Sequence, residues 1–344
     1  MSKRTVLLII FCLLPTLFLG CATTGPEVSK KEIKEARKFL EEKAFHYKLK
    51  QQIRLNSLGY RLLSHIPTPQ DNEPKPYIGL ILSDPNQKVK EILKLDIPRR
   101  KRGVVVVGVV PSSPAESAGI QQKDVILAIG DKKPVSAWEA LRVLRSLKPS
   151  EKAEILILRG QEELSVDLIP MALPYWIVFL AVEQEDVNAF ASPEQVMVTY
   201  GMLRFIQSDD ELAVVLAHEL AHLTEGHIAK MMGSGVLSGI VGLVLGVGAE
   251  VILPGSGDPI FRIGSGAVQA QFSKDFEREA DYVGLRYAHS AGFDIHAGAT
   301  VWERFGVEIP QTLSSNFLST HPASPERLIR VQKVVQEILS VQSN

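Results

Sequence analysis

Two histidines four residues apart constrain this chain more than any other feature, in the segment His218-Glu219-Leu220-Ala221-His222. Residues i and i+4 lie on one face of an α-helix, so both imidazoles can bind the same metal ion. Glu219 would lie beside that ion as a general base. The pattern therefore predicts a metal-dependent hydrolytic site that still needs a third protein ligand from another segment.

The third ligand does not follow in the same helix. An extended pattern, H-E-x-x-H-x-x-G-x-x-H, would place Gly at position 225 and His at position 228. This chain has Glu225 and Ile228 there. The acidic segment 277–281 comes later in the chain, and Glu277 is its best candidate ligand. Glu279 points to another side of that helix and is the weaker candidate.

The length of the chain and its net charge limit the number of domains and the kinds of binding partner that we expect. The chain has 344 residues, enough for two domains, and 38 basic against 39 acidic residues give a net charge of −1. Since there is no basic excess, nucleic acid is excluded as a partner.

Residues 1–20 are predicted to be a lipoprotein signal peptide. Lys3 and Arg4 precede an apolar run, Thr5 to Gly20, that is short for a spanning helix of roughly 20 residues. The segment that ends at Cys21 resembles the lipobox of bacterial lipoproteins, which implies Cys21 as the lipidation site. The alternative is an uncleaved membrane anchor.

The cysteine count and the residue after Cys21 predict the location. Cys12 would be removed with the signal and Cys21 acylated, which leaves no thiol for a disulfide. Ala22 after the lipidated cysteine resembles lipoproteins sent to the outer membrane. We therefore expect an exported protein that is tethered to the membrane by lipid and faces the periplasm.

Residues 21–76 are predicted to be a tether, a helix and a linker. The helix extends from Val28 to about Ser64 and carries an apolar stripe at helical spacing. The segment 66–76 contains four prolines and no apolar periodicity, so it is predicted to be the linker. The apolar stripe consists of Ile33, Ala36, Phe39, Leu40 and Ala44.

Residues 77–170 are predicted to form a β-rich domain. Short strands, among them a Val-rich one at Gly103–Val110, alternate with turns, and a hairpin crosses Gly160-Gln161. An amphipathic helix is expected at Ala137–Leu147.

This block resembles a PDZ domain. The resemblance rests on Tyr77-Ile78-Gly79-Leu80, Pro111–Ile120 and Gln122–Leu127, in this order. It implies that Tyr77, Ile78, Gly79 and Leu80 form a loop whose backbone amides bind the carboxylate of a C-terminal peptide, which adds as a strand. The alternative is a spacer or a dimer contact.

Residues 175–344 are predicted to form the catalytic half. Strands are expected at Tyr175–Glu183 and Gln195–Tyr200. A helix is expected from about Ser208 to Met231, because acidic residues fill its first turn.

Four segments of this half resemble peptidase family M48: Asn188–Ala191, Glu211–His222, Phe276–Asp281 and Thr320–Arg327. The family is a set of zinc metalloendopeptidases with a mainly helical, gluzincin-like fold and a small sheet beside the cleft. With the PDZ-like domain, the predicted fold class is α+β.

The family resemblance implies roles for particular residues. His218, His222 and Glu277 would be the ligands of one Zn²⁺ ion, and Glu219 the catalytic base. Asp281, one helical turn after Glu277, would orient a ligand histidine.

Other roles are implied for the substrate edge and the C-terminal loop. The strand edge at Asn188, Ala189 and Phe190 would bind substrate, and Arg327 would brace the loop that carries His321. Two interpretations of His321 stay open: a catalytic residue that stabilises the oxyanion, or a structural turn. The remaining histidines of this half, His227, His289 and His296, are interpreted as surface or packing residues.

The stretch 235–254 has no charged residue before Glu250. It is predicted to be a lid or hairpin that borders the cleft. A membrane span and tight helix packing are the alternatives.

These features together predict a lipid-anchored zinc endopeptidase of the bacterial envelope. Its substrates would be proteins or peptides, in particular misfolded or unassembled envelope proteins, which is a role in protein quality control. The alternative is a non-enzymatic PDZ scaffold or chaperone-like lipoprotein with a structural zinc. An intact Glu219 favours the enzyme, because a structural zinc site usually has four protein ligands.

Overall fold

The chain divides into two compact units, residues 1–43 and residues 44–344. No helix among the described residues is long and apolar enough to cross a membrane. The computed structural model describes residues 25–69, 73–98, 100–175, 177–192, 194–233, 272–310, 321 and 324–341.

Helix α1, Lys30–Leu63, begins with a capping box. The Ser29 amide donates to the Glu32 carboxylate, and the Glu32 amide donates to the Ser29 hydroxyl. The predicted apolar stripe is exposed, and 64% of Leu40, in the first unit, is accessible to solvent. In the second unit, Leu55 and Leu62 are fully buried.

The β-rich domain is a five-stranded antiparallel sheet in the order β2-β3-β4-β5-β6. Strand β2 is therefore an edge strand. The strands of the sheet are β2 (Leu80–Ser83), β3 (Val104–Val109), β4 (Val125–Ile129), β5 (Ala153–Arg159) and β6 (Glu162–Leu168). The helices of this domain are α2 (Gln87–Leu93), α3 (Pro114–Ser117) and α4 (Ala137–Arg145). A separate pair, β1 (Lys75–Tyr77) and β7 (Met171–Leu173), joins the two ends of the domain.

A second sheet has the order β8-β10-β9, with β8 (Val178–Val182) parallel and β9 (Ala189–Ser192) antiparallel to β10 (Gln195–Thr199). The outer edge of β8 is covered by Gln52 of α1. Its amide nitrogen donates to the Phe179 carbonyl, and its oxygen accepts from the Ala181 amide. This side chain therefore makes the bonds of a neighbouring strand.

The rest of the second half is helical. Its helices are α5 (Tyr200–Phe205), α6 (Asp209–Thr224), α7 (His227–Gly233), α8 (Lys274–Ser290), α9 (His296–Glu308) and α10 (Pro325–Val341). The predicted α+β class, a mainly helical half with a small sheet and a β-rich domain, is confirmed.

One predicted helix is shorter than expected. We predicted a helix as far as Met231, but α6 ends at Thr224. Gly226 then adopts a left-handed conformation with φ +69, and α7 begins at His227. Because glycine adopts positive φ without steric cost, the chain turns there and starts a new helix.

Helices α6 and α8 approach each other closely at Gly284. A Cβ atom at this position would lie only 2.9 Å from the His218 Cα. The absence of a side chain therefore lets α8 bring its acidic residues up to the histidines of α6.

Cys21 and the stretch 235–254 lie outside the described residues.

Candidate metal centre

Helix α6 places His218, Glu219 and His222 in a buried position. The helix begins at the N-cap Ser208, whose hydroxyl accepts from the Glu211 amide, and the Glu211 carboxylate accepts from the Gln207 amide. Glu219 is 1% exposed and His222 is fully buried.

Four side chains bring their ligand atoms to within 4.8 Å of one another: His218, His222, Glu277 and His321. His218 Nε2 lies 3.1 Å from His222 Nε2, and His222 Nε2 lies 3.4 Å from Glu277 Oε1. Two ligand atoms of one tetrahedral zinc ion, each about 2.0–2.2 Å from it, are about 3.3–3.5 Å apart. The spacing of these donors therefore fits a single ion.

Glu219 lies beside this group. Its Oε1 is 3.2 Å from His321 Nε2. Its Oε2 is buried and has no hydrogen-bond partner among the described residues. A buried carboxylate oxygen without a donor is costly, and a water molecule held at the same centre would supply the missing donor.

Asp281 supports His218 from the opposite side. Its Oδ1 is 3.0 Å from His218 Nδ1, so the Nδ1–H can donate to the carboxylate while Nε2 faces the other donors. Arg327 donates from Nε and Nη2 to the same carboxylate, at 2.8 and 2.7 Å.

Arg327 also pairs with a predicted ligand. Its Nη1 lies 2.7 Å from Glu277 Oε2, and its guanidinium lies over the Trp302 ring at 3.6 Å. Arg327 therefore holds the Glu277 and Asp281 carboxylates in a fixed geometry, which is a more direct role than the loop brace that we predicted.

His321 lies inside the ligand group. Its Nδ1 is 2.7 Å from Glu277 Oε1 and 3.2 Å from His218 Nε2. Of our two interpretations of His321, a structural turn alone does not account for these contacts. The ring is close enough both to ligate a metal and to contact a group that is bound to one.

His222 has a support that we did not predict. Its Nδ1 lies 3.0 Å from His227 Nδ1, and His227 Nε2 lies 3.0 Å from Glu279 Oε2. We interpreted His227 as a surface or packing residue. It is completely buried and contacts a predicted ligand. The only signal in the sequence was the position of His227 directly after a glycine, Gly226.

The pKa values of the donors favour metal binding. Burial holds the pKa of His222 well below its usual value, because the charged imidazolium loses its water. Burial alone would raise the pKa of Glu277, but His321 and Arg327 lower this pKa by more than burial raises it. The carboxyl group therefore stays ionised. A neutral imidazole and an ionised carboxylate are the forms that bind a metal ion.

The pKa of His321 is raised. Burial lowers it, but the adjacent Glu277 and Glu219 carboxylates raise it by more. His321 is therefore held where it can take a proton between two acidic side chains.

The predicted substrate edge lies against the metal-binding helix. Strand β9 packs on α6, and it is an edge strand of its sheet in the described part of the chain. Ala189 and Phe190 are buried. The backbone of Asn188 is held by Thr199, whose amide and hydroxyl both donate to the Asn188 carbonyl.

A pocket opens beside the loop Tyr77–Leu80. It encloses about 640 Å³ of empty space, part of it open to solvent. Its lining includes the loop residues, Leu141 and Leu144 of α4, and Tyr175 and Val178. The pocket therefore combines the β-rich domain with the start of strand β8.

The loop itself has a fixed shape. Gly79 has φ +83, and the carbonyls of Ile78 and Gly79 accept from the Ala115 and Val110 amides. The buried Tyr77 hydroxyl has no hydrogen-bond partner among the described residues.

Comparison with known families decides what kind of chain this is. The model of peptidase family M48 matches residues 159–335, just over half of the chain. The chain belongs to peptidase family M48. A PDZ domain model matches residues 76–169 of this M48 chain. Both family resemblances that we recognised in the sequence are confirmed.

Relatives of this M48 chain include named metalloproteases. Mitochondrial metalloendopeptidase OMA1 of Arabidopsis thaliana is 32% identical over 165 residues, which cover 47% of this chain and 33% of that protein. Metalloprotease LoiP of Escherichia coli is 28% identical over 143 residues, 42% of this chain and 56% of that protein. The matched region thus spans between a third and just over half of these relatives' length.

The comparison with solved structures found partial matches. The crystal structure of the HtrA3 PDZ domain bound to a phage-derived ligand is 20% identical, with a TM-score of 0.26. It covers 30% of this chain and 90% of that one.

Proposed function

We propose that this protein is a zinc-dependent endopeptidase. The observation that carries the proposal is the buried group of two α6 histidines and the α8 carboxylate Glu277, with Glu219 beside it. Two imidazoles and one carboxylate are the protein ligands of open catalytic zinc sites, whereas Mg²⁺ and Ca²⁺ prefer oxygen donors. His218, His222 and Glu277 would hold the ion.

When bound, zinc would lower the pKa of a coordinated water and polarise the scissile carbonyl. Glu219 would take the proton of the attacking water on Oε2, which has no hydrogen-bond partner in the described part of the chain, and pass it to the leaving amine. A backbone strand of the substrate would pair with the edge strand β9, at Asn188, Ala189 and Phe190, next to α6.

His321 would act next to Glu219. Because its Nε2 lies 3.2 Å from Glu219 Oε1, it is placed to donate to an oxygen that gains negative charge during attack. Its raised pKa favours a protonated ring, which is the form that donates from both nitrogens.

A second candidate function has one observation in its favour. His321 is a fourth donor within the same group, and a closed set of four protein ligands is typical of structural zinc. This chain would then be a PDZ scaffold or a chaperone-like lipoprotein. The buried Oε2 of Glu219, without a hydrogen-bond partner among the residues that the structure describes, supports the enzyme. A structural zinc site would have no role for this carboxylate.

We further propose that the PDZ domain, within residues 77–170, selects substrates by their C-termini. Strand β2 is an edge strand, and the pocket at its start is lined by apolar side chains. The Tyr77 hydroxyl and the loop amides of Gly79 and Leu80 would bind the terminal carboxylate. The pocket would take an apolar terminal side chain.

The remaining parts of the proposal concern location and domain boundaries. We propose that residues 1–20 are a signal peptide and that Cys21 is lipidated, which would tether residues 175–344, the peptidase domain, to the envelope membrane. Residues 21–76 would be the tether, helix and linker. Unassembled envelope proteins would be the substrates.

Digestion of casein by the purified full chain tests the function. We expect hydrolysis that a chelator stops and added Zn²⁺ restores. A folded chain that retains one equivalent of zinc and leaves casein intact would instead support the scaffold.

A further inference from the structure

The two α6 histidines are supported in different ways. His218 contacts a carboxylate directly, at 3.0 Å from Asp281. His222 contacts a second imidazole, His227, which in turn contacts Glu279. The turn at Gly226 produces this arrangement, because it returns the first residue of α7 to the side of α6.

A bond from His222 Nε2 to the metal would decide where each proton lies. His222 Nε2 faces the other donors, so a neutral His222 that binds metal through Nε2 carries its proton on Nδ1. In the described part of the chain that nitrogen lies 3.0 Å from His227 Nδ1, which would then accept. The proton of His227 therefore lies on Nε2, and it donates to Glu279 Oε2.

Aromatic packing holds both rings in these planes. Phe272 stacks on His222 with ring centroids 3.8 Å apart, and Phe276 stacks on His227 at 4.3 Å and 12°. These contacts resist tilting of either ring out of its plane, and so keep the two Nδ1 atoms facing each other at 3.0 Å.

We propose that His227 and Glu279 are positioning residues that hold His222 in the tautomer with its proton on Nδ1 and so strengthen its bond to the metal. This inference rests on the proposed ligand set. Within the described residues, the hydrogen bonds of His227 and Glu279 reach the ligand set at His222. They act through His222, as a carboxylate acts through a histidine in other metal sites.

Zinc affinity of the full chain tests the inference, measured by competition with a chromophoric chelator. His227→Phe keeps the stacking on Phe276 but removes the acceptor, and we expect zinc to bind about 10- to 100-fold more weakly. His227→Asn places an acceptor oxygen near the Nδ1 position, and we expect it to recover most of the affinity. If His227 had a purely structural role, the Asn variant would not bind zinc more tightly than the Phe variant.

A second pair of variants tests the inference at exposed residues, where a substitution should not prevent folding. The Glu279 side chain is 47% exposed, so Glu279→Ala should fold. We expect a several-fold loss of zinc affinity, smaller than for His227→Phe because solvent screens the carboxylate. Asp275→Ala is the matched control, one helical turn earlier on α8, where the carboxylate pairs with Arg278. It should bind zinc like the wild type.

The tautomers give a readout that is independent of affinity. In the zinc-loaded protein, ¹⁵N-histidine NMR should show a proton on His222 Nδ1 and on His227 Nε2. The inference is overturned if Glu279→Ala equals Asp275→Ala, or if His227 carries its proton on Nδ1. If His222→Ala binds zinc as tightly as the wild type, it is the ligand set that is wrong, which is a separate failure.

Discussion

The candidate metal centre and the PDZ pocket, the two sites that we propose for peptide, are built in opposite ways. The metal centre is buried and charged: Glu277, Asp281 and Arg327 are each almost completely enclosed. The PDZ pocket is open and lined by apolar side chains with a rigid loop at one end. The first arrangement suits bond cleavage, because charges act strongly away from water, and the second suits reversible capture of many sequences.

Substitution of the proposed base should give the largest effect. Glu219→Gln keeps the shape of the side chain but removes the proton acceptor, so we expect kcat to fall about 100- to 10,000-fold. The rate of casein hydrolysis measures it. The metal centre would not work as proposed if this variant turned over normally. Binding of C-terminal peptides to the PDZ pocket should stay unchanged, which separates the two sites.

Loss of a buried cation should cost stability at the metal centre and little in the PDZ domain. Arg327→Met leaves two buried carboxylates without their partner. We expect the free energy of unfolding, measured in chelator, to fall by about 3–5 kcal/mol. Arg159→Met breaks the pair with the buried Asp124, but the Arg159 side chain is 35% exposed. Asp124 also keeps the hydrogen bond from the Gln121 amide, so a smaller loss of about 1 kcal/mol is expected. Urea denaturation measures both variants. Equal losses of unfolding free energy in Arg327→Met and Arg159→Met would contradict the expected difference between the two domains.

Acid should destabilise the metal centre through Asp281. Burial raises the pKa of its carboxyl group, but Arg327 and His218 lower it by more, so the net shift is downward. A lowered folded pKa stabilises the protein above the unfolded value of about 3.9, and this stabilisation is lost as pH falls through the folded value. We expect the urea midpoint of the chelated wild type to fall steeply below about pH 4. Asp281→Asn should show a shallower fall, and an identical slope would contradict this assignment.

A polar group in the PDZ pocket should change only substrate selection. Leu141→Asn replaces an apolar lining residue of α4 with a polar one of similar size. For substrates with an apolar C-terminus we expect KM to rise about 10-fold, the loss of roughly 1.4 kcal/mol. The value of kcat should not change. Arg142→Gln, on the exposed side of the same helix, is the control. A fall in kcat with constant KM would contradict a capture role.

The sequence predicted those parts of the site that follow from short-range geometry. His218 and His222 share a helix face because they are four residues apart, and Glu277 and Asp281 repeat that spacing on α8. The resemblance to family M48 supplied the pairing of the two helices. It also implied that Asp281 orients a ligand histidine, and the Asp281 Oδ1 lies 3.0 Å from His218 Nδ1. The loop brace that we predicted for Arg327 differs from its contacts with Glu277 and Asp281.

The contacts that were missed depend on tertiary structure. The turn at Gly226 ends α6 early, and helix periodicity gave no sign of it, since His227 suits a helix as well as a turn. The bond from His227 to Glu279 joins α7 to α8, and no spacing rule connects residues so far apart in the chain. The same holds for His321, whose position in the ligand group required the structure.

Zinc content of the full chain tests the central claim most directly. Wild type, Glu219→Gln and Glu277→Gln should be dialysed against a weak chelator and analysed by mass spectrometry of the metal. The account predicts one zinc ion per chain in the wild type and in Glu219→Gln, and loss of most of the zinc in Glu277→Gln. Full zinc occupancy in a folded Glu277→Gln protein would contradict it.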